Sequence, residues 1–164
     1  MICPKPDVTV TTEVATDPET AFAIFTEEID TWWRRGPRHR FSRDKTGVLR
    51  FEPGVGGRLI EIYDDGETWE VGRVSAWDPG ARLVFEWRLR NFAEGEVTEV
   101  EIRFQASARG TRVTVEHRGL SLLPTSHPAR HGLEGEALTS MFGLWWGDVV
   151  VGLRAHVKAS RVSS

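Results

Sequence analysis

The sequence has a single cysteine, Cys3, among its 164 residues. One cysteine cannot form an internal disulfide, and a reducing compartment is expected. The sequence also lacks an apolar run of the roughly 20 residues that a membrane-spanning helix needs. Residues 1–6 lack the basic start and apolar run of a signal peptide. We therefore expect a cytoplasmic protein that does not insert into a membrane.

The sequence also has no excess of positive charge. The formal net charge is −3, which argues against general nucleic-acid binding. The charge is nevertheless uneven, because residues 34–58 hold eight cations against two carboxylates. Part of this segment, residues 34–43, could attract an acidic ligand at the mouth of a cavity. The alternative is a solvated basic loop.

Tyrosine is scarce, with one residue, whereas tryptophan and phenylalanine number seven and eight. Large flat side chains must therefore build most of the interior. A chain with 40% hydrophobic and 27% charged residues has the composition of an ordinary globular protein, and its length suits one domain. We predict a single domain over residues 7–158, with flexible tails at 1–6 and 159–164.

Short segments that alternate apolar and polar residues, each closed by turn residues, predict seven strands. In one of them Leu83, Phe85 and Trp87 share one face, whereas Glu86 and Arg88 share the other. Such a pattern is typical of an antiparallel sheet with one wet and one dry face, and the dry face needs a cover. The predicted strands are 7–16, 47–52, 58–63, 67–77, 82–89, 96–108 and 111–118.

Three helices are predicted. Asp17 as N-cap and Pro18 in the first turn begin a short helix, and a second follows around residues 28–33. From about residue 134 to 158 the chain lacks proline, and about 25 helical residues would extend about 37 Å across the sheet. The predicted inner stripe of this helix is Leu138, Phe142, Trp145, Val149, Leu153 and His156. Trp146 and Val150 are then expected on its outer face, where a homodimer could form.

This order of elements resembles the helix-grip fold of the START and birch-pollen-allergen superfamily (SRPBCC). Several phrases look like its branch named for the heat-shock protein 90 ATPase activator. These are PETAF at 18–22, FEPGVGGR at 51–58, GRV at 72–74, WDPGARL at 77–83, FEW at 85–87 and GTRVTVEHRGL at 110–120. The resemblance implies an α+β fold: a seven-stranded curved antiparallel sheet, two short helices after strand one, and a long C-terminal helix across the concave face.

The resemblance also implies a cavity between the sheet and the long helix. Members of the superfamily include lipid carriers, hormone receptors, polyketide cyclases and co-chaperone-like domains, so the fold does not select one activity. We expect a small hydrophobic or amphipathic ligand to bind in this cavity. One alternative is a cyclase- or aromatase-like enzyme that uses the same cavity, and another is a co-chaperone-like protein-interaction module.

His117 is the most prominent polar candidate, because alternation places it on the dry face beside Val113 and Val115. It could hydrogen-bond a ligand or act as an acid or base. The alternative, which we favour, is a structural histidine bonded to backbone or to the following loop. The aromatic residues that could line a pocket could equally fill it. They are Trp33, Phe85, Trp87, Phe104, Phe142 and Trp145.

Other patterns do not favour catalysis. His127 and His131 have the spacing of helical metal ligands, but Pro128 lies between them and no cysteine or carboxylate cluster accompanies them. Residues 54–57 lack the glycine spacing of a phosphate-binding loop. No Ser-His-Asp or Cys-His set is recognisable. We therefore expect no metal and no cofactor, and an enzyme is the less favoured hypothesis.

Overall fold

The structure is a computed structural model that describes residues 5–33, 47–88 and 92–162. Seven strands form one antiparallel sheet in the order β1-β7-β6-β5-β4-β3-β2, which confirms the predicted fold class. The strands are β1 Val8–Val14, β2 Val48–Phe51, β3 Arg58–Ile62, β4 Thr68–Asp78, β5 Arg82–Trp87, β6 Thr98–Ser107 and β7 Gly110–Arg118. The basic segment 34–43 lies outside the described residues.

The helices lie where the sequence predicts them, with one difference in length. Helix α1 spans Pro18–Glu27, and the side chain of its N-cap Asp17 accepts a hydrogen bond from the Thr20 backbone N–H at 3.2 Å. Helix α2 spans Ile29–Trp32. Helix α3 spans Gly135–Val162, so residues 159–162, predicted as tail, are helical. No proline or glycine follows Gly152, so nothing in the sequence ends the helix at 158.

The sheet is curved, and two irregularities in strand pairing mark the places where it bends. The register shifts between Leu59 and Ile60 against β4, and again between β4 and β5 near Ala76. Such shifts bend a strand and increase its twist. Gly72 lies at the closest approach of β4 to β5, because a Cβ there would lie 1.8 Å from the Glu86 carbonyl oxygen. Only glycine permits this contact.

Helix α3 covers the concave face, and four of the six residues predicted for its inner stripe are buried: Leu138, Phe142, Val149 and Leu153. The other two, Trp145 and His156, are only partly buried. Trp146 and Val150 are buried, at 0% and 3% exposure, so their predicted outward placement is wrong. The buried face is therefore wider than the predicted stripe, because it also includes the i, i+4 ridge from Leu138 through Phe142 to Trp146 and Val150. Residues 144–151 are apolar over nearly the whole helix circumference, and periodicity alone could not identify the inner side.

The outer side of α3 carries other residues. Leu144 and Val151 are exposed at 72% and 51%. Trp145, predicted to lie in the inner stripe, is partly buried and packs against the edge of the core. Trp146 and Val150 are therefore not on the outer surface of α3, and a homodimer through other residues of this helix stays a prediction.

Candidate functional site

His117 lies at the end of β7 and is completely buried. The Trp146 indole N–H donates to His117 Nδ1 over 3.0 Å. Because an indole nitrogen can only donate, Nδ1 is the acceptor and the ring proton lies on Nε2. His117 Nε2 is 2.7 Å from Thr98 Oγ1, whose own proton is donated to the Trp87 carbonyl at 2.8 Å. The four residues thus form a directed chain of hydrogen bonds from α3 to the sheet.

This environment keeps His117 neutral. Burial, assisted by the positive charge of Arg118, lowers the pKa of His117 to about 3. Both ring nitrogens are engaged by protein groups, so neither is placed to exchange a proton with a substrate. The geometry favours a structural role for His117, as a link that holds α3 to β7 through Trp146. Its partners are the side chains of Trp146 and Thr98, and not the backbone or the following loop as expected.

An aromatic cluster surrounds this link. It consists of Trp33, Trp87, Phe92, Phe142, Trp145 and Trp146. The Trp87 ring is central: its centroid lies 4.8 Å from that of His117, 5.9 Å from that of Trp145 and 6.1 Å from that of Phe142. Trp33 joins from the end of α2, 5.9 Å from Trp145. The structure therefore brings five of the seven predicted site residues together.

The other two predicted pocket residues belong to a different part of the core. The Phe85 ring lies 5.3 Å from that of Phe51. Phe104 packs against Phe22 at 5.3 Å and Phe25 at 6.0 Å. Although alternation put both on the dry face correctly, it could not tell which end of the sheet each would occupy.

Two members of the aromatic cluster were missed by the sequence reasoning. Phe92 follows β5, and its ring packs 5.9 Å from Trp87 and 4.6 Å from His127. The only feature of the sequence that points to Phe92 is its large apolar side chain within a polar loop. Trp146 is the other, because the apolar residues around it on α3 make periodicity predict the wrong side of the helix for it.

Trp87 carries the unusual polar atom of the cluster. Its side chain is 1% exposed, and its Nε1 is shielded from solvent without a hydrogen-bond partner among the described residues. Leaving a buried donor unsatisfied costs about 1–3 kcal/mol, and such groups are uncommon in native structures. Phe92, Phe142 and Trp145 surround the indole with rings that offer no strong acceptor.

Trp145 forms the edge of the cluster towards solvent. It is partly buried, whereas its neighbour Trp146 is fully buried. Its ring contacts Trp33, Trp87 and Trp146. The backbone of α3 runs closest to β1, so large rings bridge the wider gap between α3 and the centre of the sheet.

The convex face of the sheet holds a polar groove of about 520 Å³ above β4, β5 and β6. At its floor, Glu101 accepts hydrogen bonds from Arg82 at 2.8 Å, from Arg103 at 2.9 Å and from Arg118. Burial raises the pKa of Glu101, but these arginine hydrogen bonds outweigh it and bring the pKa to about 2. The groove is therefore an ion-pair network in which the arginines already have anionic partners.

His127 and His131 do not lie together as metal ligands. His127 Nδ1 accepts from the Ala129 backbone N–H at 3.0 Å, and its Nε2 donates to Glu96 Oε1 at 3.0 Å. His131 is exposed. Within the described ranges, no group of three or more His, Cys, Asp or Glu residues could hold a metal ion. No helix in the same ranges is long and apolar enough to cross a membrane.

Comparison with known proteins identifies the family. The sequence pattern described as "Activator of Hsp90 ATPase homolog 1-like protein" matches residues 15–142. The chain belongs to this family. No protein of curated function matches it.

Several solved structures are similar to this chain. Protein MLL2253 from Mesorhizobium loti is 19% identical, with a TM-score of 0.64 over 92% of this chain and 96% of its own. DynU16, from the dynemicin biosynthetic locus, is 17% identical with a TM-score of 0.64 over 93% of this chain, which spans 47% of DynU16. The anthrahydroquino-gama-pyrone synthase Txn09 is 34% identical over 71% of this chain and 79% of its own, with a TM-score of 0.49.

Proposed function

We propose that the protein binds a small, largely apolar ligand at the aromatic cluster between the sheet and α3. The observation that carries this proposal is the Trp87 indole N–H, which is buried without an acceptor within the described part of the chain. A core built only for stability gains by satisfying such a group. A ligand oxygen would satisfy it, and the surrounding rings would supply apolar contact area.

The packing of the cluster supports a particular route of access. Its rings contact one another edge to face, so a ligand needs one ring to move. Trp145 is the suitable ring, because it is partly exposed and touches Trp87 directly. Rotation of Trp145 towards solvent would open a path to the Trp87 N–H without moving the sheet. The affinity would be reduced by the small fraction of chains in the open state.

The same geometry does not support chemistry at His117. Its Nδ1 is occupied by Trp146 and its Nε2–H by Thr98. A ligand that reached the cluster would therefore meet a neutral, fully bonded imidazole. Binding without turnover is the function that these contacts favour.

A neutral fluorescent probe, N-phenyl-1-naphthylamine, tests the proposal with the full chain. We expect a saturable rise in probe fluorescence. In Trp145→Ala the association rate measured by stopped flow should increase several-fold, because the ring that closes the path is gone. Leu144→Ala is the matched control, since Leu144 is adjacent in sequence but faces solvent; its rate should equal that of the unmodified chain.

Two results would overturn the proposal. The first is the absence of any saturable binding to the folded chain. The second is a loss of binding in Leu144→Ala with no effect of Trp145→Ala, which would place the probe on the outer surface of α3.

A further inference from the structure

We infer that the ligand presents a neutral carbonyl-type oxygen to the Trp87 indole N–H, and that carboxylates and phosphates are rejected. This inference rests on the proposed function and specifies the chemical class of its ligand. Two features of the aromatic cluster support it: the polar atoms that still lack a hydrogen bond, and the charges around them.

The hydrogen-bonding groups next to Trp87 are committed. Trp146 donates to His117 Nδ1, and His117 Nε2–H donates to Thr98 Oγ1. The Thr98 proton is donated to the Trp87 carbonyl. The Trp87 Nε1–H remains as a donor without an acceptor among the residues described. A group that binds there must therefore accept a hydrogen bond. A hydroxyl oxygen could accept it, but the hydroxyl proton would find its possible acceptors among these groups already engaged, so a carbonyl oxygen fits better.

The charge of the surroundings selects a neutral acceptor. Arg118 is the nearest cation along β7, and its guanidinium faces the opposite side of the sheet, where Glu99 and Glu101 hold it. His117 is neutral, since its Nδ1 accepts a hydrogen bond. A carboxylate at Trp87 would be buried without a counter-ion in these described surroundings, which is strongly unfavourable. A ketone, quinone or ester carbonyl carries no such penalty.

The rings around Trp87 favour a particular shape for the rest of the ligand. Phe142 and Trp145 present their rings to the indole at 84° and 68°. Once Trp145 has moved, a flat ring system could pack against these rings in the same edge-to-face manner. The inferred class is therefore a neutral cyclic compound with a carbonyl oxygen at its edge.

Three probes of matched size test this class: 1-tetralone, tetralin and 1-naphthoate. The first two differ only by the carbonyl group, and the third carries a carboxylate at the corresponding position of a fully aromatic bicycle. We expect calorimetry to show about tenfold tighter binding of 1-tetralone than of tetralin, the effect of one satisfied buried donor. Binding of 1-naphthoate should be the weakest of the three.

The matched variants are Trp87→Phe and Trp69→Phe, each checked for folding by circular dichroism. In Trp87→Phe the preference for 1-tetralone over tetralin should fall to about one, because the donor is gone. Trp69 stacks under Arg88 at 5.1 Å, whereas the rings packed around Trp87 are those of Phe92, His117, Phe142 and Trp145, so Trp69→Phe should keep the preference.

The outcomes separate this inference from the proposed function. Equal affinity for 1-tetralone and tetralin, or tightest binding of 1-naphthoate, would overturn the carbonyl class while leaving an apolar site in place. Binding of N-phenyl-1-naphthylamine without binding of 1-tetralone would have the same consequence. Failure of all four compounds to saturate the chain would overturn the proposed function, and the inference with it.

Discussion

Replacement of His117 by glutamine should flatten the pH dependence of stability. Burial, assisted by Arg118, lowers the pKa of His117 from 6.5 to about 3 in the folded chain. Below pH 6.5 the unfolded chain therefore binds a proton that the folded chain does not. The contribution of His117 to stability is complete above pH 6.5 and is lost as the pH falls towards 3.

The magnitude follows from the size of this shift. Each pH unit inside the window lowers the free energy of unfolding by about 1.4 kcal/mol. Between about pH 7.5 and about pH 4.5 the loss from His117 is about 2.7 kcal/mol. His117→Gln removes this loss. It should also be about 1–3 kcal/mol less stable at neutral pH, because the Trp146 N–H loses its acceptor.

Urea unfolding followed by far-ultraviolet circular dichroism, repeated at several pH values, measures both effects. His131→Gln is the control, because His131 is exposed and its replacement should leave the slope almost unchanged. If His117→Gln and the unmodified chain gave parallel curves over this pH range, the buried neutral histidine would be refuted. A ¹⁵N spectrum of the unmodified chain that showed a protonated His117 Nδ1 at pH 5 would refute it equally.

Three further predictions concern the framework. Thr98→Val leaves the His117 N–H without its acceptor and should lower the urea-derived free energy of unfolding by about 1–3 kcal/mol, whereas Thr98→Ser should recover most of it. Gly72→Ala places a Cβ 1.8 Å from the Glu86 carbonyl and should destabilise the chain by about 1–3 kcal/mol, visible as a lower melting temperature. Because the folded pKa of Glu101 is lowered from 4.5 to about 2, its contribution is complete above pH 4.5 and lost as the pH falls towards 2. When the free energy of unfolding is measured at a series of acidic pH values, it should therefore fall less steeply between pH 4.5 and 2 in Glu101→Gln than in the unmodified chain.

The fold was largely predictable because alternation is a direct consequence of strand geometry. On β5, Leu83, Phe85 and Trp87 are all buried, as their spacing of two requires. The start of α1 was predictable for a similarly local reason, since Asp17 caps the helix by a hydrogen bond within its own turn. Such features need no knowledge of distant residues.

The site was less predictable because it depends on long-range packing. Trp145 and Trp146 are adjacent in an apolar stretch, and only the docked helix decides that Trp146 reaches His117. The role of His117 also depended on partners distant in sequence, since Thr98 and Trp146 lie on other elements. The unsatisfied Trp87 N–H has no sequence signal, because the absence of an acceptor is a property of the packed cluster.

The central claim is that a ligand oxygen reaches the Trp87 indole inside the aromatic cluster. The most direct test is the ¹H–¹⁵N spectrum of the indole groups during titration with 1-tetralone, with the Trp87 signal assigned by its loss in Trp87→Phe. We expect a saturable downfield shift of the Trp87 N–H proton, while the Trp69 signal stays in place. A Trp87 signal that does not move at concentrations where 1-tetralone is bound would contradict it.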